Sequence, residues 1–262
     1  MGNQEIRSSM AGLYSRESGY DGAMAHVPRL FVRGHLGPGP LLIEGEQAQR
    51  LTKVMRLREG EKFLAFSGDG REWEATVGPA AKSGLHAAIG AFARQEPAPA
   101  VTLELWVALV RPNRFDWAVE KATEAGAEVI RPLLSEHSAR GEGSSAGRQE
   151  RWERIAIEAA EQCGRLYMPV IEPPAHFNDL LGRHHGALVV ADMGGRPWEE
   201  VSALLPDEGR LAVAIGPEGG FSQEEVARAR AHGALVARLG PNTLRSETAA
   251  VVAVALVRSL GR

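Results

Sequence analysis

The chain has almost no cysteine: Cys163 is the single one among 262 residues. A lone cysteine cannot form a disulfide within the chain, which is typical of a reducing compartment, so we expect a cytoplasmic protein. Common metal motifs are also missing. There is no Cys-x-x-Cys or His-Glu-x-x-His, and the pair His184–His185 has no acidic or thiol neighbours in the sequence. We therefore expect no metal site.

Long apolar runs are missing as well, since none approaches the roughly 20 residues that span a bilayer. The longest run, Ala249 to Val257, is apolar all round and predicts a helix that is buried on every side. Residues 1–26 are polar and rich in Gly and Ser, without the apolar stretch of a secretory signal. We expect them to be a disordered extension or tag, with Met24 as a plausible true start.

The chain has no large excess of charge, since 30 basic and 33 acidic residues give a formal charge of −3. This balance argues against indiscriminate binding of nucleic acid, but it allows a local basic face. Between residues 29 and 58 the sequence has a local charge of +4, from two glutamates and six basic residues: Arg29, Arg33, Arg50, Lys53, Arg56 and Arg58. This basic set predicts either an RNA-binding surface or an ordinary solvated face.

Residues 27–95 are rich in short apolar runs bounded by Gly and Pro, which predicts a small β-barrel. The Asp69-Gly70 step predicts a tight turn between strands at Lys62–Phe66 and Glu72–Val77. Ala48, Leu51, Val54 and Met55 recur at helical spacing and predict one short amphipathic helix. The stiff segment 95–100 is the expected boundary to a second domain over residues 100–262.

After residue 100, predicted strands and helices alternate, which indicates an open α/β sheet. The strands are expected at Val101–Val110, Val129–Leu134, Leu188–Ala191, Leu211–Ile215 and Leu235–Leu239. The helices are expected at Asn113–Ala125, Arg148–Cys163, from a capping box at Ser222 to about His232, and from about Arg245. A Gly/Ser-rich loop is expected at Gly141–Gly147. A ligand of such a sheet binds at the carboxyl ends of its strands.

The first candidate binding loop is Ile215-Gly216-Pro217-Glu218-Gly219-Gly220-Phe221, between a predicted buried strand and a helix. It is neither a Gly-x-Gly-x-x-Gly loop nor a P-loop. Pro217 lacks an N–H donor, and Glu218 would repel a polyphosphate. The loop therefore suits a ligand without phosphates, and the alternative is a tight strand-to-helix turn with no ligand.

The second candidate loop runs from Leu239 to Ala250, and it also leads from a strand into a helix. We expect the two loops to lie side by side at one edge of the sheet, with Ser246 or Thr248 capping the last helix. Arg245 and Glu247 are either functional residues or an ion pair at the helix start.

A third segment, Glu161 to Arg165, ends a predicted helix at Gly164. Cys163 has no evident base, so a small buried thiol is favoured over a nucleophile. Arg165 either binds phosphate or base or complements the helix dipole.

Together these segments resemble the RsmE family, the 16S rRNA uracil-N3-methyltransferases of the SPOUT superfamily. The resemblance runs from Val27 to the C-terminus and is most specific at the two loops. It is also carried by Val27–Phe31, Lys53–Arg56, Phe115–Gly126 and Glu161–Arg165. The chain departs from the family at Pro112-Asn113, where Lys-Gly is frequent, at Asn242, where Arg is usual, and at Ala125, where Leu is usual.

The resemblance implies a PUA-like β-barrel, then a SPOUT-type α/β domain with a C-terminal trefoil knot, and a homodimer. It implies S-adenosyl-L-methionine as cofactor and methylation of one uridine in the decoding region of 16S rRNA, on the 30S subunit. The cofactor-binding residues expected from it are Ile215, Gly216, Pro217, Glu218, Gly219, Gly220, Leu239, Gly240, Leu244, Ser246, Thr248 and Ala249.

A uridine N3 is nucleophilic only after it loses its proton, so catalysis needs a base or cations that stabilise charge on O2 and O4. The expected catalytic residues are Arg165 and Arg245 as cations and Glu247 as a base or orienting group. The expected RNA contacts are Arg29, Arg33, Lys53 and Arg56. The alternatives are a SPOUT enzyme that modifies ribose 2′-O or guanine N1 of tRNA, and a non-enzymatic RNA-binding assembly factor. A nucleotide-binding α/β protein is disfavoured because phosphate loops are missing.

Overall fold

The computed structural model describes residues 27–138 and 146–261, so the predicted N-terminal extension and most of the predicted Gly/Ser loop lie outside the described residues. The first sheet is formed by β1 (Arg29–Phe31), β2 (Gly39–Glu44), β3 (Lys62–Phe66), β4 (Arg71–Ala80) and β5 (Gly84–Gln95). Its order is β1-β3-β4-β5-β2, with β1 parallel to β3 and the other pairs antiparallel. The predicted hairpin between β3 and β4 is confirmed.

Helix α1 (Gly45–Gln49) follows β2 and continues as a π-helical turn over Arg50–Val54. Ala48 and Leu51 pack into the core of this first unit, as their spacing predicts. Val54 was expected on the same apolar face, but its residue surface is 71% exposed. The π-helical turn has a wider period than the α-helix, so it rotates Val54 away from the core.

The second sheet is entirely parallel among the described residues, which agrees with the alternating strands and helices in the sequence. Its strands are β6 (Val101–Ala108), β7 (Val129–Leu134), β8 (Val170–Ile171), β9 (Ala175–His176), β10 (Ala187–Pro197), β11 (Gly209–Ile215) and β12 (Leu235–Arg238). The order is β12-β10-β11-β6-β7-β8, and β9 also pairs with β7.

In the part of the chain that the structure describes, six helices cover this sheet: α2 (Pro112–Ala125), α3 (Ala146–Cys163), α4 (Phe177–Arg183), α5 (Trp198–Ser202), α6 (Gln223–Ala231) and α7 (Ser246–Arg258). Alternate residues of a strand point to opposite faces. In β11, Val213 belongs to the core shared with α2, α3, α5 and α7, whereas Ala212 and Ala214 belong to the core shared with α4 and α6. Continuous apolar strands arise because both faces are covered.

Two predicted helix ends are confirmed by their local geometry. Gly126 ends α2 with a φ of 104°, a left-handed conformation that favours glycine. The capping box at the start of α6 is complete, because Ser222 Oγ accepts from the Glu225 N–H at 3.2 Å and the Glu225 carboxylate accepts from the Ser222 N–H at 2.9 Å. The interval 95–100 separates β5 from β6, and the exact domain division stays a prediction.

Two predictions about buried residues are wrong. Cys163 was expected to be a buried thiol, but it lies at the exposed C-terminal end of α3. Helix α7 was expected to be buried on every side, but Ala255 is exposed and Val251, Val252 and Leu256 are only half-buried. Helix α7 therefore has apolar side chains on a face that the described part of the chain does not cover.

The side chain of Arg29 joins the first unit to the C-terminal end of α3. It pairs with Glu72 at 2.7 Å and donates to the backbone oxygens of Ala160 at 2.8 Å, Glu161 at 3.1 Å and Arg165 at 3.2 Å. Arg29 is only 8% exposed. The expectation that Arg29 contacts RNA is therefore corrected. Its buried guanidinium donates hydrogen bonds to carbonyl groups at the helix end, which would otherwise have no partner.

Candidate active site

A cleft of about 280 Å³ lies at the carboxyl ends of β10, β11 and β12. These three strands are neighbours in the parallel sheet, with β10 between β12 and β11. Their exits therefore meet at one edge, which is where open α/β sheets bind ligands. The two loops that the sequence singled out both line this cleft, so the prediction that they lie side by side is confirmed.

Most of the residues expected to bind a cofactor lie in the wall of the cleft, although Gly240 and Thr248 do not. The expected residues in the wall are Ile215, Gly216, Pro217, Glu218, Gly219, Gly220, Leu239, Leu244, Ser246 and Ala249. Six further residues complete it: Ala191, Asp192, Met193, Arg238, Asn242 and Thr243. Their roles in binding a cofactor stay predictions.

A third strand exit, which sequence reasoning missed, supplies part of this wall. The predicted strand ended at Ala191, where the apolar run stops, but β10 continues through polar residues to Pro197. A register shift between Ala191 and Arg196 accommodates the extra residues against β12. The signal was present, because Asp192-Met193-Gly194-Gly195 is a glycine-containing stretch directly after an apolar strand.

A hydrogen bond fastens the first candidate loop to the start of α7. The hydroxyl of Ser246 donates to the Gly216 carbonyl at 2.8 Å. Ser246 or Thr248 was expected to cap α7, but no side-chain cap is found at this helix, and Arg245 occupies the N-cap position. The serine therefore joins the two loops instead of satisfying the N–H groups of the helix.

Arg114, in the first turn of α2, lies between the two candidate loops. It forms ion pairs with Glu218 of the first loop and with Glu247 of α7, the latter at 3.6 Å. The Glu247 side chain is only 11% exposed, and its Oε2 has no hydrogen-bond partner among the described residues. Glu247 is thus placed to orient Arg114, while Arg245 is exposed beside the cleft.

Arg165 is not brought to the cleft. Its guanidinium donates to the Thr123 carbonyl at 2.9 Å and pairs with Glu128 at 3.5 Å. Glu128 immediately precedes β7, so Arg165 lies at the amino-terminal edge of the sheet, opposite the cleft. Burial lowers the pKa of the Arg165 guanidinium, although Glu128 opposes this effect. Because Arg165 lies at the edge of the sheet opposite the cleft, the expectation that it is a catalytic residue is corrected.

Three members of the expected RNA-binding set, Arg33, Lys53 and Arg56, are exposed on the first unit. Arg33 and Lys53 line a groove of about 520 Å³ between the α1 region and α3. Arg56 has a φ of 57°, the one positive value found for a non-glycine residue in the described part of the chain. Such a conformation costs about 1 kcal/mol or more, so the surrounding structure holds Arg56 in place.

The charges in the cleft suit a ligand without phosphates, because its wall has one basic side chain, Arg238, and two acidic ones, Asp192 and Glu218.

Over residues 27–138 and 146–261, His, Cys, Asp and Glu nowhere form a group of three or more that could hold a metal ion. In the same residues no helix is long and apolar enough to cross a membrane.

Comparisons with known proteins agree with this architecture. A family profile described as RNA methyltransferase domain matches residues 96–258, and one described as RNA methyltransferase PUA domain matches residues 43–89. The ribosomal RNA small subunit methyltransferase E of Synechocystis is 31% identical over 82% of this chain and 71% of its own length.

Solved structures also superpose on most of the chain. A Legionella pneumophila protein in complex with the cofactor SAM has a TM-score of 0.81 and 28% identity, covering 89% of this chain and 98% of that one. The small subunit methyltransferase E of Neisseria gonorrhoeae, bound to S-adenosyl methionine, has a TM-score of 0.79 and 26% identity, covering 90% and 98%. The chain thus belongs to the RNA methyltransferase family of the ribosomal small subunit methyltransferases E, with a PUA-like domain before an α/β methyltransferase domain.

Proposed function

We propose that this protein transfers a methyl group from S-adenosyl-L-methionine to N3 of one uridine in the decoding region of 16S rRNA, on the assembled 30S subunit. The observation that carries the proposal is the cleft at three adjacent strand exits, where both predicted loops meet. Relatives named as small subunit methyltransferases, and related structures bound to S-adenosyl methionine, support the reaction class.

The cleft wall fits the proposed cofactor in its chemistry. Ile215, Leu239, Leu244 and Ala249 provide apolar contacts, and the backbone groups of the glycine loop can bind adenine and ribose by hydrogen bonds. Among the described residues that line the cleft, Arg238 is the one basic side chain, so no basic cluster holds phosphates there. The cofactor, when bound, supplies an electrophilic methyl group on a sulfonium ion.

The residues beside the cleft have two tasks in this reaction. The proton of the uridine N3–H passes to solvent water, and the negative charge that it leaves spreads to O2 and O4, where a cation stabilises it. Arg245 is exposed beside the cleft and takes this role in the proposal. Glu247 acts through Arg114 as an orienting group, because its buried carboxylate faces that guanidinium.

Binding of rRNA involves the exposed cations of the first unit, Arg33, Lys53 and Arg56. Contacts between cations and phosphates release counterions, so affinity falls as the salt concentration rises. An affinity for 30S subunits that does not change with salt would contradict this part of the proposal.

The proposal includes a homodimer in which a second copy covers the outer face of α7. Ala255 is exposed and Val251, Val252 and Leu256 are half-buried, an apolar surface on a helix that the chain covers on one side only. Unpartnered apolar faces of this kind are typical of interaction surfaces. Ala255→Arg should give a monomer in analytical ultracentrifugation, whereas an unchanged mass for this variant, or a monomeric parent protein, would refute the dimer.

The function is tested by incubating the protein with labelled methyl donor and undermodified 30S subunits, followed by mass spectrometry of the rRNA nucleosides. The proposal expects N3-methyluridine at a single site. Label in ribose 2′-O or guanine N1 would indicate a different RNA methyltransferase, and no label, with no binding of the donor, would indicate an assembly factor. Arg245→Ala is the matched variant, and transfer at the parental rate would remove Arg245 from the mechanism.

A further inference from the structure

Three charged side chains line the cleft, and one of them, Glu218, forms an ion pair within the part of the chain that the structure describes. Glu218 is paired with Arg114. Asp192 and Arg238 line the same cleft, and neither forms an ion pair with a residue in the ranges 27–138 or 146–261. The cleft therefore presents to its contents one carboxylate and one guanidinium that have no ion-pair partner in the described part of the chain.

Asp192 and Arg238 lie on two neighbouring strands of the sheet and line the same cleft. Strands β10 and β12 are parallel neighbours, and their register pairs Ala191 with Ala237. Asp192 follows Ala191 where the register shifts, and Arg238 follows Ala237 and is paired with Pro197 beyond that shift. Both residues line the cleft.

The backbone around Asp192 is fixed by two close contacts. Its Oδ1 accepts a hydrogen bond from the Gly194 N–H at 2.8 Å, which leaves Oδ2 for a ligand. At Gly195, a Cβ atom would lie 2.7 Å from the backbone of Ala237, so the loop packs tightly on β12. The carboxylate is therefore held in place before any ligand arrives, which reduces the entropy lost on binding.

We infer that Asp192 and Arg238 bind the amino-acid end of the methyl donor, with the carboxylate receiving the α-ammonium group and the guanidinium receiving the α-carboxylate. This inference rests on the proposed function and adds the substrate groups that these two residues recognise. A zwitterion needs one acceptor and one cationic donor, and this pair matches that need. A site built to bind such groups discriminates strongly against an analogue that lacks them, because its own polar groups then stay unpaired.

Calorimetric titration with S-adenosylhomocysteine and 5′-methylthioadenosine tests the assignment. Both compounds carry the adenosine and an uncharged sulfur, but only the first has the ammonium and carboxylate groups. Charge-assisted hydrogen bonds contribute about 10- to 100-fold in affinity each. The parent protein should thus prefer S-adenosylhomocysteine by about 100-fold or more.

Asp192→Asn and Arg238→Met should each lower this preference about 10-fold or more and leave the affinity for 5′-methylthioadenosine unchanged. Asn keeps the oxygen that accepts from Gly194, so only the charge is removed. Arg238→Lys should restore part of the preference. Arg230→Met, on the exposed face of α6, is the matched control and should bind as the parent does.

Variants that lose affinity for both compounds equally, or that keep the parental preference, would overturn the inference while the proposed function stands. A parent protein that binds neither compound would instead refute the proposed cofactor site, and the inference with it. Because Arg238 is exposed, its variants give a result even if Asp192→Asn fails to fold.

Discussion

Replacing Arg29 by alanine separates a structural role from an RNA-binding role for this residue. The guanidinium pairs with Glu72 and donates to three carbonyl groups near the end of α3, and it lies 4.7 Å from the centre of the Phe66 ring. Removing one partner of a buried ion pair costs about 3–5 kcal/mol. Glu72 keeps a second cation, because the Arg94 Nε lies 2.7 Å from its other oxygen.

We therefore expect Arg29→Ala to lower the free energy of unfolding by about 3 kcal/mol, the low end of that range. For a chain of this size the melting temperature should fall by roughly 6–12 °C. Chemical denaturation and calorimetry of the whole chain measure both values. Arg33→Ala is the matched control, since that side chain is 71% exposed and should change stability by less than about 0.5 kcal/mol.

Binding to 30S subunits completes the comparison. Arg29→Ala, at a temperature where it is folded, should keep the parental slope of log affinity against log salt. Lys53→Ala should reduce the slope by about 1 if that residue contacts a phosphate. The reasoning is refuted if Arg29→Ala unfolds at the same denaturant concentration as the parent, or if it changes the slope as Lys53→Ala does.

Three further substitutions test the cleft and the sheet below it. Gly195→Ala should cost about 1–3 kcal/mol and weaken binding of S-adenosylhomocysteine, because the added Cβ meets the Ala237 backbone at 2.7 Å; unchanged denaturation and calorimetric titration would contradict this close packing. Ser246→Ala leaves the Gly216 carbonyl without its donor and should weaken S-adenosylhomocysteine binding about 5-fold, or about 1 kcal/mol; a parental affinity in the same titration would show that this bond does not shape the cleft. Burial acts to raise the pKa of Glu104, but hydrogen bonds and nearby arginines hold it below the ordinary 4.5, so its ionised form stabilises the fold above that pH and the contribution is lost as the pH falls below it. The difference in unfolding free energy between the parent and Glu104→Gln should shrink below pH 4.5. A difference that grows as the pH falls would contradict the lowered pKa of Glu104.

The sequence predicts five of the seven strands and four of the six helices described after residue 100, and the meeting of the two loops, because these features depend on local patterns. The short elements β8, β9, α4 and α5 were not predicted. Apolar runs such as Leu211–Ile215 need both faces covered, and the capping box at Ser222 is complete within four residues. The carboxyl ends of neighbouring parallel strands share one edge, so the loops after β11 and β12 converge.

The roles of individual arginines could not be predicted, because they depend on contacts between residues far apart in the chain. Arg29 and Arg165 resemble other surface cations in sequence, but their partners lie as far away as Ala160 and Thr123. Asp192 was missed for a related reason: hydrogen bonding to β12 extends β10 past the end of its apolar run. Side-chain patterns alone do not reveal such an extension.

The most direct test of the central claim is a crystal structure of the protein with bound S-adenosylhomocysteine. The account predicts the ligand between Ile215–Gly220 and Leu239–Ala249, with its amino-acid end at Asp192 and Arg238. An empty cleft in crystals soaked with this compound, together with ATP bound there in a parallel soak, would contradict it.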